Sequence, residues 1–124
     1  MTQLQADFIH HLEHTGYQPL ARFVLESEVE TEFSIVSLAP VYISTPQDSM
    51  EDVKAMGKLL LELEEMGEIT LDYDIPLSDY PYEEYKTSEL YAYFCQTVSE
   101  RAKQPGFLGD TPRLELGSIA LRRD

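Results

Sequence analysis

Residues 59–74 read LLLELEEMGEITLDYD, and the change of rhythm at Gly67 decides how the whole chain is parsed. Upstream, Val53, Met56, Leu60 and Leu63 recur every three or four residues, with Leu59 and Met66 at the margins, as one buried helical stripe requires. Downstream, Ile69, Leu71, Tyr73 and Ile75 alternate with Thr70, Asp72 and Asp74, the period of a half-buried strand. Gly67 stands where a left-handed helix cap belongs. At the other end of the helix, Asp48 with Glu51, or Ser49 with Asp52, has the spacing of a capping box.

Working outward, Leu4, Phe8 and Leu12 predict a first helix that Gly16 can end. Pro19 suits the first turn of a second, short helix carrying Leu20, Phe23 and Val24. Glu26, Glu28, Glu30 and Glu32 alternate with Ser27, Val29 and Thr31 and read as a solvated link. From Phe33 to Thr45 the β-branched residues, interrupted by Ala39-Pro40, predict an edge strand or two short extended pieces, because proline cannot donate to a ladder. A helix from Ser88 to Lys103 carries Leu90, Tyr91, Phe94, Val98 and Ala102 on one side and stops at Pro105-Gly106. The final segment, Arg113 to Leu121, is a strand able to pair antiparallel with residues 69–75. Its apolar residues switch parity between Leu116 and Ile119, which predicts a bulge at Gly117-Ser118. The expected fold is a single α+β domain over residues 1–124, with about four helices and a small antiparallel sheet.

Leu60, Leu63, Glu64, Gly67 and Ile69 form an L-x-x-L-E-x-x-G-x-I-like pattern. It resembles the end of the third helix and the first wing strand of winged-helix domains, over about a third of the chain. The resemblance implies a winged-helix-like fold and, as an alternative function, DNA-binding transcriptional regulation. Two departures matter, the first for the fold and the second for DNA binding. About forty residues, including a helix, separate the two strands of the would-be wing. The helix that would enter the major groove carries Glu51, Asp52, Glu62, Glu64 and Glu65 against Lys54 and Lys58, where phosphate contact needs Lys or Arg.

The totals point the same way. The 124 residues carry nine Lys and Arg against 23 Asp and Glu, a formal net charge of −14. Within residues 1–100, four basic residues face 20 acids, a net of −16. Such a field repels phosphate backbones and anionic headgroups and favours a basic protein partner. Arg101, Lys103, Arg113, Arg122 and Arg123 are the only reservoir for a nucleic-acid patch, which a homo-oligomer could double. The single Cys95 rules out an internal disulfide and suits a reducing, cytoplasmic setting. The first residues lack the features of a signal peptide, and no apolar run approaches the roughly 18 residues of a membrane span.

No catalytic constellation emerges. His10 and His14 stand four apart on the first helix, with His11 and Glu13 beside them, and could share a metal in a small metal-binding protein. The same spacing fits a wet helix face, which is the preferred reading. Cys95 lacks a neighbouring base and reads as packing. Asp72 and Asp74 look alike, whereas acid-base chemistry wants unlike environments. No cofactor fingerprint appears. The working surface is therefore sought in Asp79, Tyr80, Tyr82, Glu83, Glu84 and Tyr85, where prolines stiffen an acidic aromatic loop and tyrosines offer contact area with few rotatable bonds. The competing reading lays these tyrosines on the domain's own core. The expectation for function is a non-enzymatic, acidic interaction or regulatory module that binds a protein.

Overall fold

The computed structural model describes residues 1–27, 33–104 and 109–122. Its elements run α1 (Gln3–Thr15), β1 (Tyr17–Glu26), β2 (Ser34–Val41), α2 (Met50–Glu65), β3 (Ile69–Asp72), α3 (Glu83–Lys86), α4 (Glu89–Arg101) and β4 (Thr111–Leu121). The strands form one antiparallel sheet in the order β2-β1-β4-β3. The fold is thus α+β, with three full helices and the single turn α3 in place of about four helices.

The stretch around Gly67 folds as its rhythm demands. Ser49 caps α2 in a reciprocal capping box with Asp52. At the other end Glu68 N–H reaches the Leu63 carbonyl and Gly67 N–H the Glu64 carbonyl, both at 3.0 Å. That pair of bonds is a Schellman motif, and it needs the positive φ of 79° that Gly67 adopts. Strand β3 is shorter than its alternation implies. It stops at Asp72, whose Oδ1 accepts the Asp74 N–H at 2.9 Å and turns the chain out of the sheet. Asp72 and Asp74 consequently do not share one strand face.

The expected helix from Pro19 is instead the middle of β1. Leu20, Ala21, Phe23 and Val24 are all buried, because β1 lies inside the sheet and is covered on both sides. Continuous burial erases the alternation by which a strand is recognised. Pro19 is tolerated because β2 first pairs with β1 at Ala21↔Val41, so at Pro19 the β2 side of β1 is open. The edge position expected for residues 33–45 is that of β2. Glu26 belongs to the end of β1 and pairs with Arg113 at 3.1 Å. Residues 28–32 of the expected link lie outside the described residues, as do Pro105 and Gly106.

The bulge expected at Gly117-Ser118 is absent from the β1–β4 ladder, which runs in unbroken register from Tyr17↔Ala120 to Glu26↔Thr111. The parity switch has another cause. Leu114 and Leu116 join Ala21 and Phe23 in a core with Val41, Ile43, Tyr82, Tyr85 and Leu90. Ile119 joins Leu20, Ile69, Phe8, Leu12, Leu60 and Leu63 in a second core. Opposite parity means opposite faces, so α1 and most of the α2 stripe cover one face while the α3–α4 side covers the other. Gln5 Nε2 ties α1 to α2 through Glu62 at 3.2 Å.

Candidate functional site

The acidic aromatic loop begins where β3 ends and leads into α3. Its tyrosines divide by depth. Tyr85 is fully buried and Tyr82 is 2% exposed, whereas Tyr80 is half-buried and Asp79 and Glu83 are exposed. Each buried phenol does the work of a strand backbone. The Tyr85 hydroxyl donates to the Pro19 carbonyl at 3.1 Å and accepts the Ile43 N–H at 3.2 Å. It thereby fills the gap beside β1 that β2 leaves open. The Tyr82 hydroxyl donates to the Gly117 carbonyl at 2.6 Å and accepts the Leu77 N–H at 2.7 Å. That contact continues the ladder on β4 just beyond the Asp72↔Ser118 pair where β3 stops.

The three rings pack edge to face, with centroids 4.8 Å apart for Tyr80–Tyr82, 5.7 Å for Tyr82–Tyr85 and 6.5 Å for Tyr80–Tyr85. Tyr82 holds its backbone in the left-handed region at φ 59°, which only a well-anchored side chain sustains. Tyr80 donates to the Glu84 carboxylate. That bond lowers the Glu84 pKa, while burial, followed by the same bond, raises that of Tyr80. Burial raises Tyr82 and Tyr85 as well. The loop is therefore a rigid inlay. Of the six residues singled out from sequence, Tyr82 and Tyr85 face inward, Tyr80 and Glu84 bind one another at the margin, and Asp79 and Glu83 meet solvent.

The outer face of the inlay borders a groove of about 520 Å³. Tyr17, Ile75, Pro76, Leu77, Asp79 and Tyr80 contribute to its walls. Tyr17 and Ile75 are each 60% exposed. Sequence reasoning passed over Tyr17, since its membership depends on β1 running antiparallel to β4 beside the loop.

The other candidates separate cleanly. His10 and His14 meet edge to face with ring centroids 4.5 Å apart, and His14 Nδ1 lies 2.9 Å from the His10 carbonyl oxygen of its own helix. Among the described residues no group of three or more His, Cys, Asp or Glu could hold a metal ion. Cys95 is half-buried and free, and its nearness is among the causes, after burial, that push Tyr91 up to about 12. Arg22 bonds Glu115 at 2.8 Å and lies 4.7 Å from the centre of the Tyr73 ring. No described helix is long and apolar enough to cross a membrane. No family model matches the chain, and no curated protein and no solved structure matches it.

Proposed function

We propose that this domain is a non-enzymatic interaction module that binds a basic, apolar segment of a partner protein in the groove between Tyr17 and the outer face of residues 75–80. The supporting observation is the groove itself. Two exposed apolar side chains, Tyr17 and Ile75, line it together with Asp79, which belongs to the loop that Tyr82 and Tyr85 anchor. A pre-formed loop loses little entropy on binding. With a net charge of −14, the chain draws a cationic segment and repels nucleic acid. DNA binding gains no support from Arg22 and Arg113, which are engaged by Glu115 and Glu26. In favour of the winged-helix resemblance is the succession of the end of α2, the Gly67 turn and β3 over residues 59–72. The resemblance is opposed by α3 and α4, which separate β3 from β4 where a wing has a short loop.

The test is a titration of the nitrogen-15-labelled domain with an alternating Lys-Leu peptide and its Ser-Leu and Glu-Leu counterparts. The Lys-Leu peptide should bind best and move the amides of Tyr17, Ile75 and Asp79. Ile75→Ser and Asp79→Asn should each weaken binding several-fold. Equal binding of the Glu-Leu peptide, or shifts spread over the other acidic surfaces, would remove the groove from the account.

A further inference from the structure

A second concavity opens at the far end of β1. Tyr17 and Leu25 are eight strand residues apart, about 26 Å at the usual rise, so this site is independent of the groove described above. It has a volume of about 260 Å³. Phe23, Leu25 and Leu38 come to it from the sheet, and Leu90, Phe94 and Val98, spaced four apart on α4, supply an apolar wall. The Phe23 and Phe94 rings stack with centroids 5.2 Å apart and an interplanar angle of 22°. The ladder beside Phe23 is irregular: two steps along β1 match three along β2 before it, and one step matches two after it. Ser37 and Leu38, both in the lining, lie in this irregular stretch of the edge strand.

The rim carries charge of one sign. Lys54 from α2 and Arg101 from the last turn of α4 are the charged residues of the lining. Neither has an ion-pair partner among the described residues. In a chain where acids outnumber bases 23 to nine, two cations over an apolar pocket, both unpaired among the described residues, define a specific chemistry. A neutral ligand would leave both cations unused, and a cationic ligand would be repelled by them. An anionic head on an apolar body meets the rim and the wall together. An engineered cavity of about 150 Å³ already accepts benzene, so the larger volume here suits one ring with a short tail.

We infer that this pocket binds a small amphiphilic carboxylate, with an aromatic or short-chain body between Phe94, Leu38 and Leu90 and its carboxylate between Lys54 and Arg101. Arg101 offers a planar pair of donors to the carboxylate and Lys54 a point charge. Tyr93, 64% exposed and four residues before Thr97 on the same side of α4, forms the outer lip.

The probes are 4-phenylbutyrate, its neutral amide 4-phenylbutanamide and the cation 4-phenylbutylamine, titrated into the full chain by calorimetry and nitrogen-15 NMR at pH 7. The carboxylate should bind about tenfold or more tighter than the amide, the amine should bind most weakly, and the amides of Leu38, Tyr93 and Thr97 should move. Lys54→Met and Arg101→Met keep the apolar stems of two exposed residues, so the fold should stand, as an unchanged melting temperature would show. Each should cost the carboxylate at least threefold in affinity and leave the amide unaffected. Equal affinity for carboxylate and amide, shifts outside the pocket, or carboxylate binding indifferent to both substitutions would overturn the assignment. The Lys-Leu titration reads a different end of the molecule, so failure of one proposal leaves the other standing.

Discussion

At the scale of the residue, the instructive side chains are Tyr82 and Tyr85, because each places a polar atom where a strand backbone would otherwise be needed. A buried N–H or C=O without a partner costs roughly 1–3 kcal/mol, against about 1 kcal/mol for the net worth of an average hydrogen bond. Tyr85→Phe keeps the ring but strands the Ile43 N–H and the Pro19 carbonyl together. We therefore expect it to destabilise the domain by about 2–4 kcal/mol, somewhat below the sum because water can reach one of the two groups. Urea unfolding followed by circular dichroism measures this, and a loss under 0.5 kcal/mol, on the order of a neutral surface change, would mean that the hydroxyl is dispensable. The sequence allows two readings of these tyrosines, contact residues among acids or a layer on the domain's own core, and Tyr82 and Tyr85 take the second. Composition alone could not reveal their inward direction, which depends on β2 and β3 both stopping short of the ends of β1 and β4.

At the scale of the element, legibility followed local chemistry. Helix α2, its Ser49 cap, Gly67 and strand β3 were readable because each signal is complete within a few residues. Helix α4 was readable for the same reason, with Ser88 as its cap and Leu90 and Val98 buried. β1 was not, since Leu20, Ala21, Phe23 and Val24 are buried by layers on two sides and thus show neither period. The bulge drawn at Gly117 failed likewise: the parity change in β4 records a change of core, from Leu114 and Leu116 to Ile119, with no extra residue. Gly117 is required for a different reason, because a Cβ there would collide with the backbone of Asp72 and Tyr73. The groove was legible only in part: of the six residues expected from sequence Asp79 and Tyr80 line it, whereas Ile75, expected on the apolar side of a strand, and Tyr17 join it through the topology. The readable cap gives the sharpest test at this scale. Gly67→Ala puts a side chain at φ 79° with open space around it, so the cost should be conformational, about 1–2 kcal/mol. A calorimetric melting temperature unchanged by this substitution would show that the α2–β3 turn tolerates another geometry.

At the scale of the whole molecule, tyrosine burial and negative charge act together as pH rises. Six of the eight tyrosines, Tyr42, Tyr73, Tyr80, Tyr82, Tyr85 and Tyr91, have raised pKa values, with burial the leading cause in each. Tyr73 and Tyr91 are pushed up to about 12, against about 10 for an unfolded tyrosine. The folded chain therefore holds more protons than the unfolded chain above pH 10, and stability falls with pH wherever that is so. The contribution is fully present below about pH 10 and is lost as pH climbs through 12. Each phenolate formed adds to a charge that is already −14 at pH 7, so self-repulsion pushes in the same direction. We expect a cooperative alkaline transition between about pH 10 and pH 12 in which the far-ultraviolet signal collapses together with a rise in phenolate absorbance near 295 nm. Added NaCl should move the midpoint upward by screening the repulsion. Ionisation of all eight tyrosines along one broad curve near pH 10, with the circular dichroism intact, would contradict the inlaid loop and return Tyr80, Tyr82 and Tyr85 to the surface.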